Sequence, residues 1–318
     1  MLHFDLFSPK TKLKVCLIVH LIMETIVVAG GTGLIGKKLI AYWKNQGHVV
    51  RCLTRNESDV RNDLYHWDPS QNEIDTAVFK DMTILVNLSG AGIADKKWSK
   101  ERMAELYSSR IQPADFLYSL THNHPTLKQY ISASGAVCYG FEDDSKIYKE
   151  TDPFGTDTLS DITQKWEQSA LQFQSFVKVT CIRISVVLAK EGGALPPISK
   201  PVKYGFGAIL GNGQQGMPWI HINDLIRVFD HAMTHQLEGA FNANAGNTTN
   251  AILTKTIASV LKKPLWLPRV PAFAMKMVLG PMSSVVLLGL KADASKLIAT
   301  DFKFEYTDLE KTLKDLLL

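Results

Sequence analysis

The sequence predicts an α/β fold, a Rossmann-type doubly wound parallel sheet with a smaller C-terminal α/β lobe. Three observations predict it. Uninterrupted β-branched runs alternate with stretches of helical character from Thr25 to Leu188, the order that yields a parallel sheet covered by helices on both faces. The first of those runs breaks into glycines spaced three apart, Gly30, Gly33 and Gly36. From Ala189 onward glycine and proline become frequent, which signals loops around a second, smaller lobe.

The opening unit organises the rest. Ile26 to Ala29 read as a strand buried on both faces. The glycines that follow meet three demands: a sharp turn at the strand end, backbone bare enough for a pyrophosphate to approach, and close packing of helix on strand. A helix over Leu34 to Gln46, stopped at Gly47, offers its N-terminal N–H groups to an anion. The second strand, Val49 to Thr54, ends in Thr54-Arg55. An acidic residue at that place would hold the ribose 2′-hydroxyl of NAD, whereas Arg55 can fork onto a 2′-phosphate and Thr54 can add a hydroxyl. The expected cofactor is therefore NADP, in the form NADPH when reduced.

A third strand is expected over Asp63 to Asp68, ending at Pro69, and a fourth from Thr83, running into Ser89, Gly90 and Gly92. Small residues at such a carboxyl edge let a ligand lie against the backbone. Trp98 to Leu120 reads as a long helix capped by Ser99, with Glu101 in its first turn. Spacing alone makes Glu105 and Arg110 on this helix surface charges. A fifth strand, Lys128 to Ser132, exits through another run of small residues containing Ser132, Ser134 and Tyr139; a helix from Ser160 to Phe176 and a sixth strand from Val179 to Leu188 complete the alternation. In the second lobe, Trp219 to Asp224 introduces a helix, with Asp224 near its start and His221 either reaching a substrate or bound to neighbouring backbone. Asn242 to Ala245 reads as a strand, Leu253 to Leu261 and Tyr306 to Leu318 as helices, and Ala272 to Leu290 as an apolar stretch between them. The domain expectation is a dinucleotide-binding unit over 23–188, completed by about 222–246, with a substrate-side lobe from 189–221 and 247–318.

At 318 residues and 46% hydrophobic, the chain can bury a full core. Its net charge of +4 is dispersed, with no basic block of the kind that binds nucleic acid or a membrane. Cys16, Cys52, Cys138 and Cys181 lie far apart without metal-ligand spacing, so reduced thiols in the cytoplasm are expected and no metal. His122 and His124 read as a solvated helix end before Pro125. Residues 1–22 look foreign to the fold: Lys10, Lys12 and Lys14 precede the apolar run Val15 to Ile22, yet no small-residue cleavage site follows and the first strand begins at once. Met23 is accordingly expected to be the effective start. No run reaches the length of about 20 apolar residues needed to cross a bilayer.

Several separated blocks carry a family resemblance: Gly30 to Gly36, Leu53-Thr-Arg55, Val86 to Gly90, Ile93 to Trp98, Ser109-Arg110, Lys165-Trp-Glu167, Arg183 to Leu188, and Gly211 through His221. The chain resembles the atypical extended short-chain dehydrogenase/reductases of the YfcH-like group, the epimerase family or sugar-nucleotide epimerase-like proteins, over nearly all of Met23 to Leu318. Its tail, from Val270 through Phe302 and Leu309, is similar to that group's own C-terminal domain. The resemblance implies NADP held by the glycine loop (Gly30, Gly31, Thr32, Gly33, Leu34, Ile35, Gly36) with Thr54, Arg55, Leu88 and Ser89. It further implies that Glu105, Arg110 and Val187 help line the cofactor cleft. Two departures stand out: Arg183-Ile-Ser185 where relatives tend to have Arg-Thr-Gly, and no proline near Ala294 to Leu297.

Ordinary members of the superfamily use a tyrosine with a lysine four residues later, which places both on one helix face so that the ammonium favours tyrosinate, against a free pKa near 10. No tyrosine here has a lysine at that position. Aligned on Trp166-Glu167, the two slots fall on Leu159 and Thr163; shifted by two, on Asp161 and Lys165. A positioned acid–base supplies about 10²- to 10⁴-fold in rate, so its loss weakens the usual mechanism without forbidding hydride transfer. Tyr139 and Ser134, beyond the fifth strand, are the candidate substitutes, set against simple packing of Tyr139 beneath the cofactor. Three functions remain in view: an NADP-dependent oxidoreductase or epimerase on a small sugar-like or carbonyl substrate, a catalytically silent NADP-binding regulator, and a structural protein without nucleotide. Oligomeric state is not encoded in any of these features.

Overall fold

The computed structural model describes residues 23–141, 143 and 145–318; the expectations for 1–22, Cys16 included, lie outside them. In chain order the elements are β1 (Thr25–Ala29), α1 (Leu34–Asn45), β2 (Val49–Thr54), β3 (Leu64–Asp68), β4 (Glu73–Ile74), β5 (Ile84–Asn87), α2 (Lys100–Thr121), β6 (Gln129–Gly135), β7 (Ile147–Tyr148), α3 (Thr158–Leu171) and β8 (Lys178–Ile184). There follow β9 (Val186–Leu188), α4 (Leu195–Lys203), β10 (Gly216–His221), α5 (Ile222–Thr234), β11 (Gly239–Ala243), β12 (Gly246–Thr249), α6 (Asn250–Val260), α7 (Ala272–Leu279), α8 (Ser284–Leu287), β13 (Lys291–Ala292), α9 (Ser295–Ile298) and α10 (Leu309–Leu317).

The main sheet runs β11-β8-β6-β5-β1-β2-β3-β4, parallel throughout except for the terminal pairing of β3 with β4. β1 lies at its centre, with Ile26 opposite Val50 of β2 on one side and Ile84 of β5 on the other. The chain leaves β1 toward β2 and returns to the far side at β5, so the strand order reverses between β1 and β5. That reversal opens a crevice at the carboxyl edge.

Strand residues alternate between two buried faces, as a sheet covered on both sides requires. Ile26, Val28, Ile84 and Val86 pack with Leu39, Trp43 and the apolar stripe of α5 around Phe229. Val27, Ala29, Leu85 and Tyr130 pack with Leu117 of α2, Ala170 of α3 and Phe173 just after it. Trp43 is fully buried, and its indole N–H finds Asp230 of α5 at 2.9 Å, which satisfies the one polar atom the ring carries inside.

Two parts of the fold depart from the sequence expectation. The run from Val179 to Leu188 is two strands: at Ser185 the chain leaves the main sheet, and Val186 to Leu188 pairs with β10 in a second sheet of order β12-β10-β9. The segment after Ala194, expected to be loop, forms α4, because Pro196 and Pro197 occupy its first turn, where no N–H is needed. Leu195 and Val202 on its inner face pack against Leu253 and Ile257 of α6. Among the described residues no helix is long and apolar enough to cross a membrane.

Candidate functional site

The loop between β1 and α1 shows why three glycines recur. Gly30 adopts φ +75°, and a Cβ there would fall 2.7 Å from the Leu88 carbonyl carbon, so the exits of β1 and β5 touch backbone to backbone. A Cβ on Gly36 would fall 2.5 Å from the Gly31 Cα, so the first turn of α1 rests directly on the loop. Gly33 has room, the Gly30 carbonyl oxygen being the nearest atom at 3.4 Å, and it precedes α1 without any side-chain cap. The N–H groups of that turn have no intrahelical acceptors, and no side chain caps them.

A cavity of about 460 Å³ lies over this turn. Of the sequence candidates, Gly30, Thr32, Gly33, Thr54, Arg55, Leu88, Ser89, Gly90 and Glu105 line it. Gly31, Leu34, Ile35, Gly36, Arg110 and Val187 do not. Gly31 is packed against Cys52 and Ile40. Leu34 and Val187 lie together beside Gly193, where Val187 accepts the Ala194 N–H at 3.2 Å.

Thr54 is buried, and its hydroxyl accepts the Asn56 N–H at 3.2 Å, fixing the turn that carries Arg55 outward. Among the described residues no hydrogen bond or ion pair within 4 Å ties the Arg55 guanidinium down. Across the cavity, Glu105 accepts from Arg102 at 2.7 Å, and that bond holds its carboxyl below the usual range. Ser89 is positioned by its own N–H, which donates to Asn87 Oδ1 at 3.0 Å, while its Oγ is buried with no partner. The Oγ therefore calls for a polar ligand.

Arg110 is not the surface charge that its spacing suggested. It is 6% exposed, donates to the carbonyls of Leu106 and Ala91 at 3.0 and 2.9 Å, and stacks over Trp166 at 5.1 Å. Burial, helped by the like charge of Arg102, lowers its pKa to about 10. With no carboxylate paired to it among the described residues, it leaves positive charge beneath Gly90 and Ala91, a floor suited to an anion. Several lining residues were missed in the sequence: Asp68 at the end of β3 with Pro69 and Ser70 after it, and Ser108, Ser109 and Gln112 on α2. The last three follow Glu105 at helical spacing, a signal available once one residue of that face was placed.

The catalytic candidates lie elsewhere. Tyr139 is 2% exposed; its hydroxyl donates to Asn242 Oδ1 at 2.7 Å and accepts from Arg183 at 3.0 Å. Ser134 donates to Glu167 at 2.6 Å. Both hydroxyls are thus engaged in a buried polar network and line no part of the first cavity, an arrangement that favours packing for Tyr139. On α3, Leu159 and Thr163 turn inward, the Thr163 hydroxyl bonding to the Leu159 carbonyl at 2.7 Å. Asp161 and Lys165 pair with each other at 2.9 Å on the outer face. His221 caps α5, its Nδ1 accepting the Asn223 N–H at 3.1 Å, so the backbone-bound alternative describes it. Among the described residues no group of His, Cys, Asp and Glu is arranged to hold a metal.

Residues 26–244 match the NAD dependent epimerase/dehydratase family, and residues 270–316 match a domain of unknown function, DUF1731. An epimerase family protein of Staphylococcus saprophyticus is 35% identical, the match covering 92% of this chain and 99% of that one. The chloroplastic SDR39U1 homolog of Arabidopsis thaliana, also an epimerase family protein, is 33% identical over 91% of this chain and 86% of its own. Among solved structures, human epimerase family protein SDR39U1 (isoform2) with NADPH superposes with a TM-score of 0.82 at 26% identity, covering 92% of this chain and 98% of that one. The nucleoside-diphosphate sugar epimerase from Corynebacterium glutamicum superposes with a TM-score of 0.75 at 25% identity, over 92% of this chain and 58% of that one.

Proposed function

The chain belongs to the NAD dependent epimerase/dehydratase family, as an atypical extended short-chain dehydrogenase/reductase, and from that premise we propose that it binds NADP(H) in the first cavity and acts as an oxidoreductase or epimerase on a small sugar-like or carbonyl substrate. The observation that carries the cofactor assignment is Arg55, an untethered guanidinium at the end of β2 beside the bare helix turn. The NADPH present with human SDR39U1 supports the same choice. The glycine turn and the start of α1 bind the pyrophosphate, and Arg55 forks onto the 2′-phosphate. Ser89 Oγ gives its unspent hydrogen bond to the ligand. Bound there, the dinucleotide supplies or accepts a hydride.

The substrate-side lobe, 189–221 and 247–318, closes over the unit formed by 23–188 and about 222–246. The buried free thiols of Cys52, Cys138 and Cys181 suit a reducing cytoplasmic setting. One specific observation favours a second reading, a catalytically silent NADP-binding regulator: neither register on α3, Leu159 with Thr163 or Asp161 with Lys165, restores the superfamily's tyrosine–lysine pair, and the hydroxyls of Tyr139 and Ser134 are already engaged. Fluorescence titration tests the cofactor, with saturable NADPH binding tighter than NADH expected. Turnover across a panel of carbonyl compounds and nucleotide sugars then separates enzyme from regulator. NADH binding as tight as NADPH would remove Arg55 from its role.

A further inference from the structure

A second cavity, about 640 Å³, lies where the first turns of α2 and α3 meet α8. Its walls include Trp98, Met103, Phe141, Leu159 and Leu288, and among the described residues lining it Lys100 is the one basic side chain. Ala91, which lines the first cavity, packs in the same apolar cluster as Trp98, Met103, Phe141 and Leu159. One apolar cluster therefore borders both cavities. In the register aligned on Trp166-Glu167, one of the two open on α3, Leu159 stands at the slot where ordinary relatives carry their tyrosine.

We propose that this second cavity binds the substrate, and that the substrate is a flat, largely apolar molecule carrying a single anionic group, not a nucleoside diphosphate sugar. The inference rests on the dinucleotide reading of the first cavity and narrows its substrate. Charge decides the class. Lys100 forms no ion pair among the described residues, so it is free to meet a carboxylate. Asp157, the acid among the described wall residues, caps α3, where the positive end of that helix offsets its charge: one oxygen accepts the N–H groups of Leu159 and Ser160 at 2.8 and 3.1 Å, the other the Ser160 hydroxyl at 3.0 Å. The small lobe contributes Pro281, Ser284 and Leu288 to the wall and no cation. A diphosphate would bring about two negative charges to one lysine and bury its hydroxyl-rich sugar against aromatic and aliphatic carbon, leaving polar groups unpaired. An aromatic or branched body with one carboxylate instead places its ring between Trp98, Phe141 and Leu288.

Phenylpyruvate serves as the probe, titrated calorimetrically into the full chain with and without saturating NADPH. Saturable binding is expected, weakened about tenfold or more, or about 1.4 kcal/mol, by Lys100→Met. Leu288→Asp, at a half-exposed position that folding tolerates, is expected to weaken it similarly by repelling the anion, and Leu288→Lys is not. NADPH affinity is expected to stay unchanged in all three variants, since neither position lines the first cavity. The proposal is overturned if phenylpyruvate fails to bind at millimolar concentration, if its affinity ignores Lys100→Met and Leu288→Asp, or if UDP-glucose binds more tightly. Failure of NADPH to bind would overturn the cofactor reading instead, and the titration without NADPH would still decide this one.

Discussion

Arg183 and Glu167 meet through two parallel hydrogen bonds, Nε to Oε1 and Nη2 to Oε2, each 2.8 Å, with side chains only 5% and 7% exposed. The pair joins β8 to α3, and its spare valences are taken up by Ser134 and Tyr139. Removing one partner leaves a buried charge uncompensated, at a cost of about 3–5 kcal/mol. Glu167→Gln is therefore expected to lower the urea midpoint strongly, whereas Tyr139→Phe, losing its hydrogen bonds to Asn242 and from Arg183 at one end of the network, costs about 1–3 kcal/mol. NADPH affinity should change in neither, because the pair lies outside the first cavity. A Tyr139→Phe protein of unaltered stability that has lost turnover would return the tyrosine to catalysis.

Cofactor choice turns on Arg55. A charge-assisted fork contributes about 1.5–3 kcal/mol, so Arg55→Ala is expected to weaken NADPH about tenfold to a hundredfold and to leave NADH nearly unchanged. Fluorescence titration with both coenzymes reads this directly. Equal losses for the two would mean that the guanidinium acts only through the general field of the cleft.

Two glycines of the same loop should fail in different ways. Gly36→Ala drives a methyl into the Gly31 Cα, and overpacking of this kind costs about 1–3 kcal/mol, visible as a lower melting temperature. Gly33 has φ −74° and open space, and a Gly-to-Ala change just before a helix costs about 1 kcal/mol or less. Gly33→Ala is thus expected to fold and to lose NADPH, since its methyl faces the anion. Comparable melting temperatures for the two variants would contradict the packing role assigned to Gly36.

The central sheet was legible because β1, β2, β5 and the runs between them carry periodicity and turn chemistry locally. Gly30 and Gly36 declare their close packing through spacing, and Ser99 caps α2 as its position implied. What was hidden depends on distant partners. Nothing between Val179 and Leu188 marks Ser185 as a change of sheet; the break comes from pairing of Val186 with Trp219, thirty-odd residues away. Arg110 reads as a surface charge until Trp166 and the Ala91 carbonyl enclose it. Likewise the hydroxyl of Tyr139 is committed to Asn242, which follows it by 103 positions.

His221 gives the protein a pH dependence whose direction follows from its contacts. Burial lowers its pKa below the ordinary 6.5, outweighing Asp315 and Asp224, which favour the charged form. Protonating Nδ1 would also cost the cap on α5. The folded state therefore binds its proton at lower pH than the unfolded chain. Stability from this residue is complete above the unfolded value and is lost as pH falls from there toward the folded one. His231, also lowered by burial, adds in the same sense. Melting temperature should fall by a few degrees as pH drops from about 7.5 to 5.5, a window spanning the free histidine pKa. Asparagine also caps helices, so His221→Asn is expected to fold and to flatten part of that slope, with His231 supplying the remainder. Identical slopes in the two proteins would show that His221 does not titrate on unfolding.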